Sequence, residues 1–386
     1  MPRTHILRRS EIVRSPRVVQ VEGIFDIPAA KASELAWDVD LPFDERPWLI
    51  GAIVGPSGSG KSTILAEMFA SPAPLEWPSD RAVVDAFDPA FGAQEVTSAL
   101  SAVGFSSPPS WLRPFSVLSN GEQFRAELAR RLLESDGSMV VDEFTSLVDR
   151  RVAKVASAAV AKYIRRSERQ LIVASCHSDI LDWLQPDWVY DCGPGQFTWR
   201  SLQPRPKIPV TIERCDPGEW ETFRRHHYLT GKLVKSAHCY LARVEGAPAG
   251  FASAIPFPIN NHGLIWREHR TVVLPDFQGV GLGNRLSEYV ASLYKGHGFR
   301  YRSVTSSPSM IKHRARSPLW LMARKPSMVR PSGQGAATIA QSTHRYTASF
   351  EYVGPKTIGQ DRDLLLAVPT RTDGRRMRPR GHKVRR

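Results

Sequence analysis

Apolar residues in the first half of the chain fall into short runs separated by amphipathic stretches. Buried β-strands are predicted where the runs are continuous, at 48–54, 138–144 and 170–176, with further strands at 18–25 and 81–87. Helical spacing marks 61–70 and 122–135, and residues 189–199 predict a closing hairpin. Because strands alternate with helices, the pattern favours an α/β domain with a parallel sheet.

The pattern changes after a Pro-rich, basic stretch at 203–209. Alternating runs at 210–215 and 239–255 predict antiparallel strands, 282–298 predicts a helix, and 266–275, 301–307 and 345–353 predict further strands. We therefore expect an α/β domain over 1–202, a linker over 203–209, an α+β domain over 210–360 and a basic, partly disordered tail over 361–386.

Charge is distributed unevenly along the 386 residues. Residues 1–200 hold 21 Lys and Arg against 26 Asp and Glu, whereas 201–386 hold 31 against 12, which together give the net charge of +14. The last 16 residues alone carry eight Lys and Arg. Such asymmetry indicates a polyanionic partner for the second half, and we expect nucleic acid there.

Several protein classes are disfavoured by composition. The chain lacks the roughly 20 uninterrupted apolar residues of a membrane helix, and its basic N-terminus lacks the apolar core of a signal peptide. The four cysteines show no CxxC spacing, which argues against a disulfide framework or a zinc ribbon. We expect a soluble, cytoplasmic protein.

The stretch GPSGSGKST at 55–63 matches the phosphate-binding pattern GxxxxGK[ST] between a predicted strand and a predicted helix. Its backbone N–H groups would wrap the phosphates of ATP, Lys61 would reach the β- and γ-phosphates, and the Ser62 hydroxyl would bind Mg²⁺. The predicted ATP-binding residues of this stretch are Gly55, Ser57, Gly58, Ser59, Gly60, Lys61, Ser62 and Thr63.

Three further motifs follow in order. VLSNGEQ begins a helix, where Ser119 and Gly121 would direct a hydroxyl and backbone N–H groups at an anion. SMVVDEF ends a buried strand with Asp142, which suits a Mg²⁺ ligand, and Glu143, which suits a base for an attacking water. ASCHSD places His177 after another apolar strand.

Together the four motifs resemble the ABC-type ATPase family. The resemblance implies a homodimer in which Ser119 of one subunit faces ATP on the other, with Glu143 as catalytic base and His177 as sensor of the γ-phosphate. It also places Asp149 in the D-loop and offers Phe25 as an aromatic partner for the adenine. The signature departs from the family pattern, because LSNGE replaces LSGGQ.

A second glycine motif, QGVGLGNRL, lies between a predicted strand and an amphipathic helix. It fails the dinucleotide pattern GxGxxG, because its third glycine comes one residue early and no acidic residue follows about 20 positions later. The spacing Gln278-x-x-Gly281-x-Gly283 resembles the GNAT acyltransferase superfamily, which implies acetyl-CoA. The residues implied are Gln278, Gly279, Val280, Gly281, Gly283 and Asn284 at the pyrophosphate, and Val273 and Leu274 along the pantetheine arm.

The sequence offers two candidates for the group that transfers the proton, and they are neighbours on one predicted strand. Glu268 and His269 point to opposite faces, so only one of them can face the acceptor. Many GNAT members carry a tyrosine in the later helix as general acid, and the nearest polar residue here is His313. The cluster RRHHYLTGK at 224–232 mixes aromatic and basic residues, which also suits a nucleic-acid surface.

The sequence thus predicts an ATP-hydrolysing ABC-type domain fused to a GNAT-like N-acetyltransferase that modifies a nucleic-acid base or an associated protein. The expected cofactors are ATP, Mg²⁺ and acetyl-CoA, without a membrane partner. One alternative is a non-catalytic nucleic-acid clamp driven by ATP. Another is a transport-accessory ATPase that serves a separate membrane subunit.

Overall fold

A computed structural model describes residues 3–69, 74–135, 137–227, 231–259, 263–328 and 346–367. The chain divides into two compact units. Unit 1 combines residues up to 76 with 131–206, and unit 2 combines 77–130 with the residues from 207 onward. The motif order predicts a division near residue 203, whereas in space the segment 77–130 clusters with the C-terminal part.

Unit 1 is built on a five-stranded sheet and a separate hairpin. The hairpin pairs β1 (Arg3–Glu11) with β2 (Ala32–Asp40). The sheet contains β3 (Ile50–Val54), β4 (Met139–Val141), β5 (Leu171–Ser175), β6 (Trp188–Asp191) and β7 (Gln196–Trp199) in the order β4-β5-β3-β6-β7. All neighbours are parallel except β6 and β7, which form the predicted hairpin.

Helices of unit 1 are α1 (Pro16–Phe25), α2 (Lys61–Phe69), α6 (Arg150–Ser167) and α7 (Leu181–Leu184). Residues of β3 and β5 are buried along their whole length, as continuous apolar runs in a covered parallel sheet should be. The predicted α/β fold of this half is therefore observed.

Two predicted strands of the first half are wrong. Residues 18–25 lie in α1, because Pro16 begins the helix and the Ser15 hydroxyl caps it by accepting from the Val18 N–H at 3.4 Å. No side chain of α1 is buried. Residues 81–87 contain a 3₁₀ turn, Val83–Ala86, instead of a strand.

Unit 2 begins with a helical segment, 77–130, that contains α3 (Ala93–Ala102), α4 (Pro108–Trp111) and most of α5 (Asn120–Glu134). Its sheet has seven strands in the order β13-β14-β12-β11-β10-β9-β8. These strands are β8 (Val210–Cys215), β9 (His238–Val244), β10 (Ala247–Ile259), β11 (Gly263–Val273), β12 (Tyr301–Thr305), β13 (Trp320–Met328) and β14 (Tyr346–Tyr352). Its helices are α8 (Trp220–Arg224), α9 (Leu282–Gly296) and α10 (Pro308–Arg316).

The sheet of unit 2 opens in its middle. β11 and β12 are its one parallel pair among the described strands, and they are in register only at Trp266–Tyr301 and Arg267–Arg302. Beyond these pairs the two strands diverge. The register of β10 and β11 shifts between Ser253 and Ala254, which leaves His269 as the extra residue of a bulge.

The predicted tail begins later than residue 361. Residues Gly359–Leu366 form a 3₁₀ helix, and Leu365 is buried in the core beneath α9. The strongly basic residues 368–386 lie outside the described residues. Within the part of the chain that the structure describes, no helix has the length and apolarity needed to cross a bilayer.

Candidate functional site

The P-loop of unit 1 borders a cavity of about 280 Å³ at the carboxyl ends of β3, β4 and β5. Because these strands are parallel, the residues that follow each of them meet at one edge of the sheet. The cavity is lined by Leu35, Trp37, Ser57, Gly58, Gly60, Lys61, Ser62, Thr63, Asp142, Glu143, Ser146 and Cys176. The structure therefore brings together the predicted P-loop residues and the acidic pair that the sequence places about 80 positions away.

The loop has the backbone geometry of an anion cradle. Gly55, Gly58 and Gly60 all have positive φ, at 150°, 79° and 89°. A Cβ on Gly60 would lie 2.5 Å from the ring of Trp37, so a side chain there would collide with the cavity wall. The Lys61 ammonium donates to the carbonyl oxygens of Gly55 and Pro56 at 2.9 and 2.7 Å. It is held at the mouth of the loop, where phosphate oxygens could replace these acceptors.

The acidic pair follows β4 in a turn with an unusual backbone. The Glu143 N–H donates to Asp142 Oδ1 at 2.8 Å, and Glu143 has a φ of 49°. Positive φ is uncommon for a residue other than glycine and is concentrated at functional sites. The next residue, Phe144, is fully buried, and its N–H donates to the Ala174 carbonyl at 2.8 Å. The turn is thus fixed against β5 while Glu143 borders the cavity.

His177 lies just beyond the cavity wall. Cys176 contacts the cavity, and the His177 N–H donates to the buried Ser175 hydroxyl at 3.1 Å. That hydroxyl donates in turn to the carbonyl of Phe144 at 2.9 Å. Ser175 therefore ties the turn that carries Glu143 to the segment that carries His177. Sequence reasoning did not single out Ser175.

The aromatic residue at the cavity is Trp37, not Phe25. Phe25 ends α1 and is 69% exposed. Trp37 lies on β2 and borders both the cavity and Gly60. Trp37 lies on the strand before β3, and the P-loop follows β3. The sequence could have indicated this residue, because an aromatic residue at that position can cover the loop.

The signature motif lies in unit 2, immediately before α5. Ser119 donates its N–H and its hydroxyl to Glu122 Oε2 at 3.1 and 3.0 Å, and the Ser110 hydroxyl donates to Glu122 Oε1 at 2.8 Å. This is a capping box in which a buried carboxylate closes the helix start. Gly121 occupies the first turn of α5. Glu122, which replaces the family glutamine, has a defined structural role.

The second glycine loop joins β11 to α9 and has the geometry of a backbone nest. Gly279 and Gly281 have φ values of 94° and 87°, and Gly281 precedes α9 without a side-chain cap. A Cβ on Gly283 would lie 3.3 Å from Val273, so this glycine allows a close approach of helix and strand. The first N–H groups of α9 are therefore available to an anion such as a pyrophosphate.

The flanking residues divide between packing and polar positions. Val273, Leu274 and Val280 pack around a small core beneath the loop, while the Asn284 Oδ1 atom is buried with no hydrogen-bond partner among the described residues. An orphaned buried acceptor beside an uncapped helix start fits a bound group that carries a donor. The free N–H groups at the helix start suit a phosphate, whereas Asn284 Oδ1 can accept only from a donor of a bound group, such as an amide N–H.

Gln278 has a different environment from the predicted one. Its side-chain amide donates to the Val273 carbonyl at 2.8 Å and accepts from the Ser106 N–H at 2.6 Å. Only 9% of the residue is exposed. Because both ends of the amide are engaged within unit 2, an anion at this loop would be bound by the backbone N–H groups that follow Gln278 rather than by its side chain.

Glu268 lies where β11 and β12 diverge, in an ion pair with the fully buried Arg314 at 3.0 Å. It also accepts from the Thr271 hydroxyl at 2.6 Å and from the Ser303 hydroxyl. Burial raises the pKa of Glu268, but Arg314 and the neighbouring hydroxyls offset this effect and hold the pKa below its ordinary value. Glu268 is therefore an ionised, fully partnered carboxylate.

His269 is the extra residue of the bulge, and its contacts differ from those of Glu268. Its Nε2 accepts from the Val234 N–H at 3.3 Å. Burial lowers the pKa of His269 to about 4, and the positive charges of Arg270 and Arg267 and the nearby His227 add to the effect. The imidazole is thus neutral near pH 7.

This lowered pKa predicts a loss of stability in mild acid. Because the folded pKa of His269 lies below the unfolded value of 6.5, the unfolded state binds more protons as the pH falls from 6.5 towards 4. We expect the urea midpoint to be lower at pH 5 than at pH 7, and His269→Gln to reduce this difference. The His313→Gln variant serves as a control. An equal pH difference in wild type and H269Q would contradict the prediction.

His313 lies on α10 and pairs with Glu288 of α9 at 3.1 Å. It is not one of the partners of Glu268 and His269 described above. The tyrosine of α9, Tyr294, is fully buried in the core, where its hydroxyl accepts from the Tyr240 hydroxyl at 3.2 Å. Burial raises the pKa of Tyr294 far above its ordinary value, so it stays protonated.

Comparisons with known proteins match parts of the chain. Residues 198–312 match the family model described as Acetyltransferase (GNAT) family, which confirms the predicted GNAT-like domain. Comparison with curated proteins gives no match. Similar solved structures include a bacterial ABC transporter cassette in dimeric form, with 13% identity, 41% of this chain and 87% of that chain covered, and a TM-score of 0.34.

Two other solved structures are similar to parts of this chain. One is cbiO1 from Clostridium perfringens, part of an ABC transporter complex, with 18% identity, 41% of this chain and 76% of that chain covered, and a TM-score of 0.31. The other is an IAA acetyltransferase from Bacillus cereus, with 16% identity, 37% and 99% of the chains covered, and a TM-score of 0.27.

Proposed function

We propose that this protein binds and hydrolyses ATP in unit 1 and transfers an acetyl group from acetyl-CoA in unit 2. The observation that carries the first part is the cavity at which Lys61, Ser62, Asp142 and Glu143 converge. A phosphate-binding lysine, a hydroxyl and two carboxylates at one sheet edge are the groups that phosphoryl transfer to water requires.

Each group at this cavity has a role that follows from its position. Lys61 leaves its two carbonyl acceptors and neutralises phosphate charge, while the loop N–H groups orient the phosphates. Ser62 and Asp142 hold Mg²⁺, which supplies charge stabilisation when bound. Glu143 accepts a proton from the attacking water, and Trp37 stacks on the adenine. We further propose that Ser119 engages the γ-phosphate across a homodimer.

Acetyl transfer requires an acyl-CoA held still and an amine freed of its proton. The N–H groups at the start of α9 hold the pyrophosphate, and β11 guides the pantetheine arm past Val273 and Leu274 into the divergence of β11 and β12. The amine nitrogen forms a bond to the thioester carbonyl carbon, and the C–S bond breaks. The amine proton leaves through water, because His269 Nε2 already accepts from the Val234 N–H, and the CoA thiolate takes up a proton.

We propose an amine of a nucleic-acid base or of a nucleic-acid-associated protein as the acceptor. The support is the charge of the second half, where 31 Lys and Arg stand against 12 Asp and Glu. A polyanion is attracted to such a surface, and its affinity would fall with salt.

Two observations favour a non-catalytic alternative. Glu268 is locked in an ion pair with Arg314, and the low pKa of His269 makes it a weak base. In this alternative unit 2 binds acyl-CoA and nucleic acid without transfer, and ATP drives a clamp.

The test is incubation of the full chain with radiolabelled acetyl-CoA and separate pools of tRNA, DNA and lysate protein, with and without ATP. We expect label in at least one pool, and less label as salt concentration rises. Label in no pool, together with measurable acetyl-CoA binding, would overturn transfer in favour of the clamp. A Gly283→Val variant, whose Cβ would lie 3.3 Å from Val273 and crowd the approach of α9 to β11, is the matched negative control.

A further inference from the structure

Arg125 is a fully buried cation that contacts the acyl-CoA loop. It lies on α5, and its guanidinium donates to the carbonyl of Pro275 and, at 3.2 Å, to the carbonyl of Asp276. These residues come immediately before Gln278 and the loop glycines. Burying a guanidinium costs free energy, and burial lowers the pKa of Arg125 to about 10 although Asp276 and Glu122 oppose the shift. Because this burial is costly, the contact of Arg125 with the loop is a specific feature of the fold.

A second contact fixes the same loop from the same segment. The Ser106 N–H donates to the side-chain oxygen of Gln278 at 2.6 Å. Gly104 has a φ of 85°, and a Cβ there would lie 2.6 Å from the Gln278 carbonyl oxygen. Backbone thus packs against backbone at this point. The helical segment 77–130 holds the loop at three successive places, Pro275, Asp276 and Gln278.

The same helix carries the signature serine at its start. Ser119, Glu122 and Arg125 are spaced three residues apart, so they follow one face of α5. The Ser119 hydroxyl donates its one proton to Glu122. It cannot donate that proton to a phosphate at the same time. Engagement of ATP by Ser119 must therefore take a hydrogen bond away from the buried carboxylate of Glu122.

Arg125 is the cation that would compensate Glu122 for the hydrogen bond lost from Ser119. It interacts electrostatically with Glu122, and its Nε–H is buried without an acceptor among the described residues. A buried carboxylate that loses a donor attracts a neighbouring cation with an unsatisfied N–H, since a buried unpaired acceptor is costly. A shift of the guanidinium towards Glu122 would weaken its bonds to Pro275 and Asp276.

We propose that Arg125 is a positioning residue which couples the ATP-sensing serine to the acyl-CoA loop. With Ser119 bonded to Glu122, Arg125 holds the loop ready for acyl-CoA. With Ser119 engaged by ATP, the loop is released and its affinity for acyl-CoA falls. ATP binding and acyl-CoA binding therefore oppose each other, and each lowers the affinity for the other by the same factor.

The test uses the full chain and rests on the proposed binding of both ligands. Acetyl-CoA is titrated calorimetrically with no nucleotide, with saturating ADP, and with a saturating non-hydrolysable ATP analogue plus Mg²⁺. We expect the Kd for acetyl-CoA to rise about 10-fold with the ATP analogue, within the range of 5- to 150-fold typical of allosteric coupling, and not with ADP. The reciprocal titration should give the same factor.

Substitutions separate the coupling from simple damage. Ser119→Ala should abolish the dependence on the ATP analogue, whereas Ser110→Ala, which removes a hydroxyl from the other oxygen of Glu122, should keep it. Arg125→Met should also abolish it. Because a buried substitution can unfold the segment, Ser119→Ala is the deciding variant.

The outcomes distinguish a failure of the proposed function from a failure of the coupling. No acetyl-CoA binding under any condition would overturn the proposed function itself. Binding that is unaffected or tightened by the ATP analogue would overturn the coupling alone. The coupling would also be overturned by a 10-fold effect that persists in Ser119→Ala.

Discussion

Replacing Lys61 by methionine is expected to lower the rate of ATP hydrolysis by about 10²–10³-fold, the usual cost of removing one preorganised donor from a charged transition state. The ammonium lies within 2.9 Å of two loop carbonyls at the cavity mouth, so it needs little movement to meet the phosphates. Methionine is an unbranched side chain one atom shorter than lysine, and it removes the charge. Release of phosphate from ATP, measured with the purified full chain, checks the rate.

The matched control is Lys162→Met. Lys162 lies on α6 of the same unit and is exposed, and it does not border the cavity. We expect this variant to hydrolyse ATP at the wild-type rate. Glu143→Gln should reduce the rate by about 10²–10⁴-fold, as loss of a general base does, while nucleotide binding survives. Wild-type turnover by either K61M or E143Q would contradict the assignment of this cavity.

The second large effect is expected from Arg314→Met in unit 2. This substitution leaves the buried carboxylate of Glu268 without its cation, and breaking a buried ion pair in this way typically costs about 3–5 kcal/mol. Arg314 also stacks on Trp320, with its guanidinium carbon 4.3 Å from the ring centroid. Hydrogen exchange of peptides from 301–316, measured on the full chain, reports the loss of local stability.

The double variant Glu268→Leu, Arg314→Met is the control, because it removes both charges together. We expect it to recover part of the lost protection, as coupled pairs do in a double-mutant cycle. Since the folded pKa of Glu268 is below its ordinary value of 4.5, the pair contributes stability above pH 4.5, and this contribution is lost as the pH falls through the folded pKa. Unchanged exchange in R314M would show that the pair does not stabilise β12 and α10.

Much of this organisation is predictable because its determinants are local. The P-loop requires positive φ at its glycines, and a buried parallel strand requires a continuous apolar run. Both features can be recognised from a few consecutive residues. The convergence of Asp142 and Glu143 on the P-loop follows from strand order alone. The glycine nest before α9 can also be predicted, because its glycines lie in one short motif.

Other features depend on contacts that no short window contains. The valines of 18–25 suggest a strand, but the proline and serine at its start decide for helix α1. Arg125 resembles any helix-surface arginine until its carbonyl acceptors, 150 and 151 residues away, are known. The motif predicts that Gln278 binds the anion, yet the segment 77–130 engages its side chain. Such residues are fixed by tertiary packing rather than by propensity.

The central claim is that the two glycine loops hold two different ligands in separate sites, ATP at 55–63 and acyl-CoA at 278–284. Calorimetric titration of the Lys61→Met full chain tests it most directly. We expect acetyl-CoA still to bind with a stoichiometry of one per chain, while ATP binding is weakened. Loss of both ligands in this variant, or displacement of acetyl-CoA by ATP from one shared site, would contradict it.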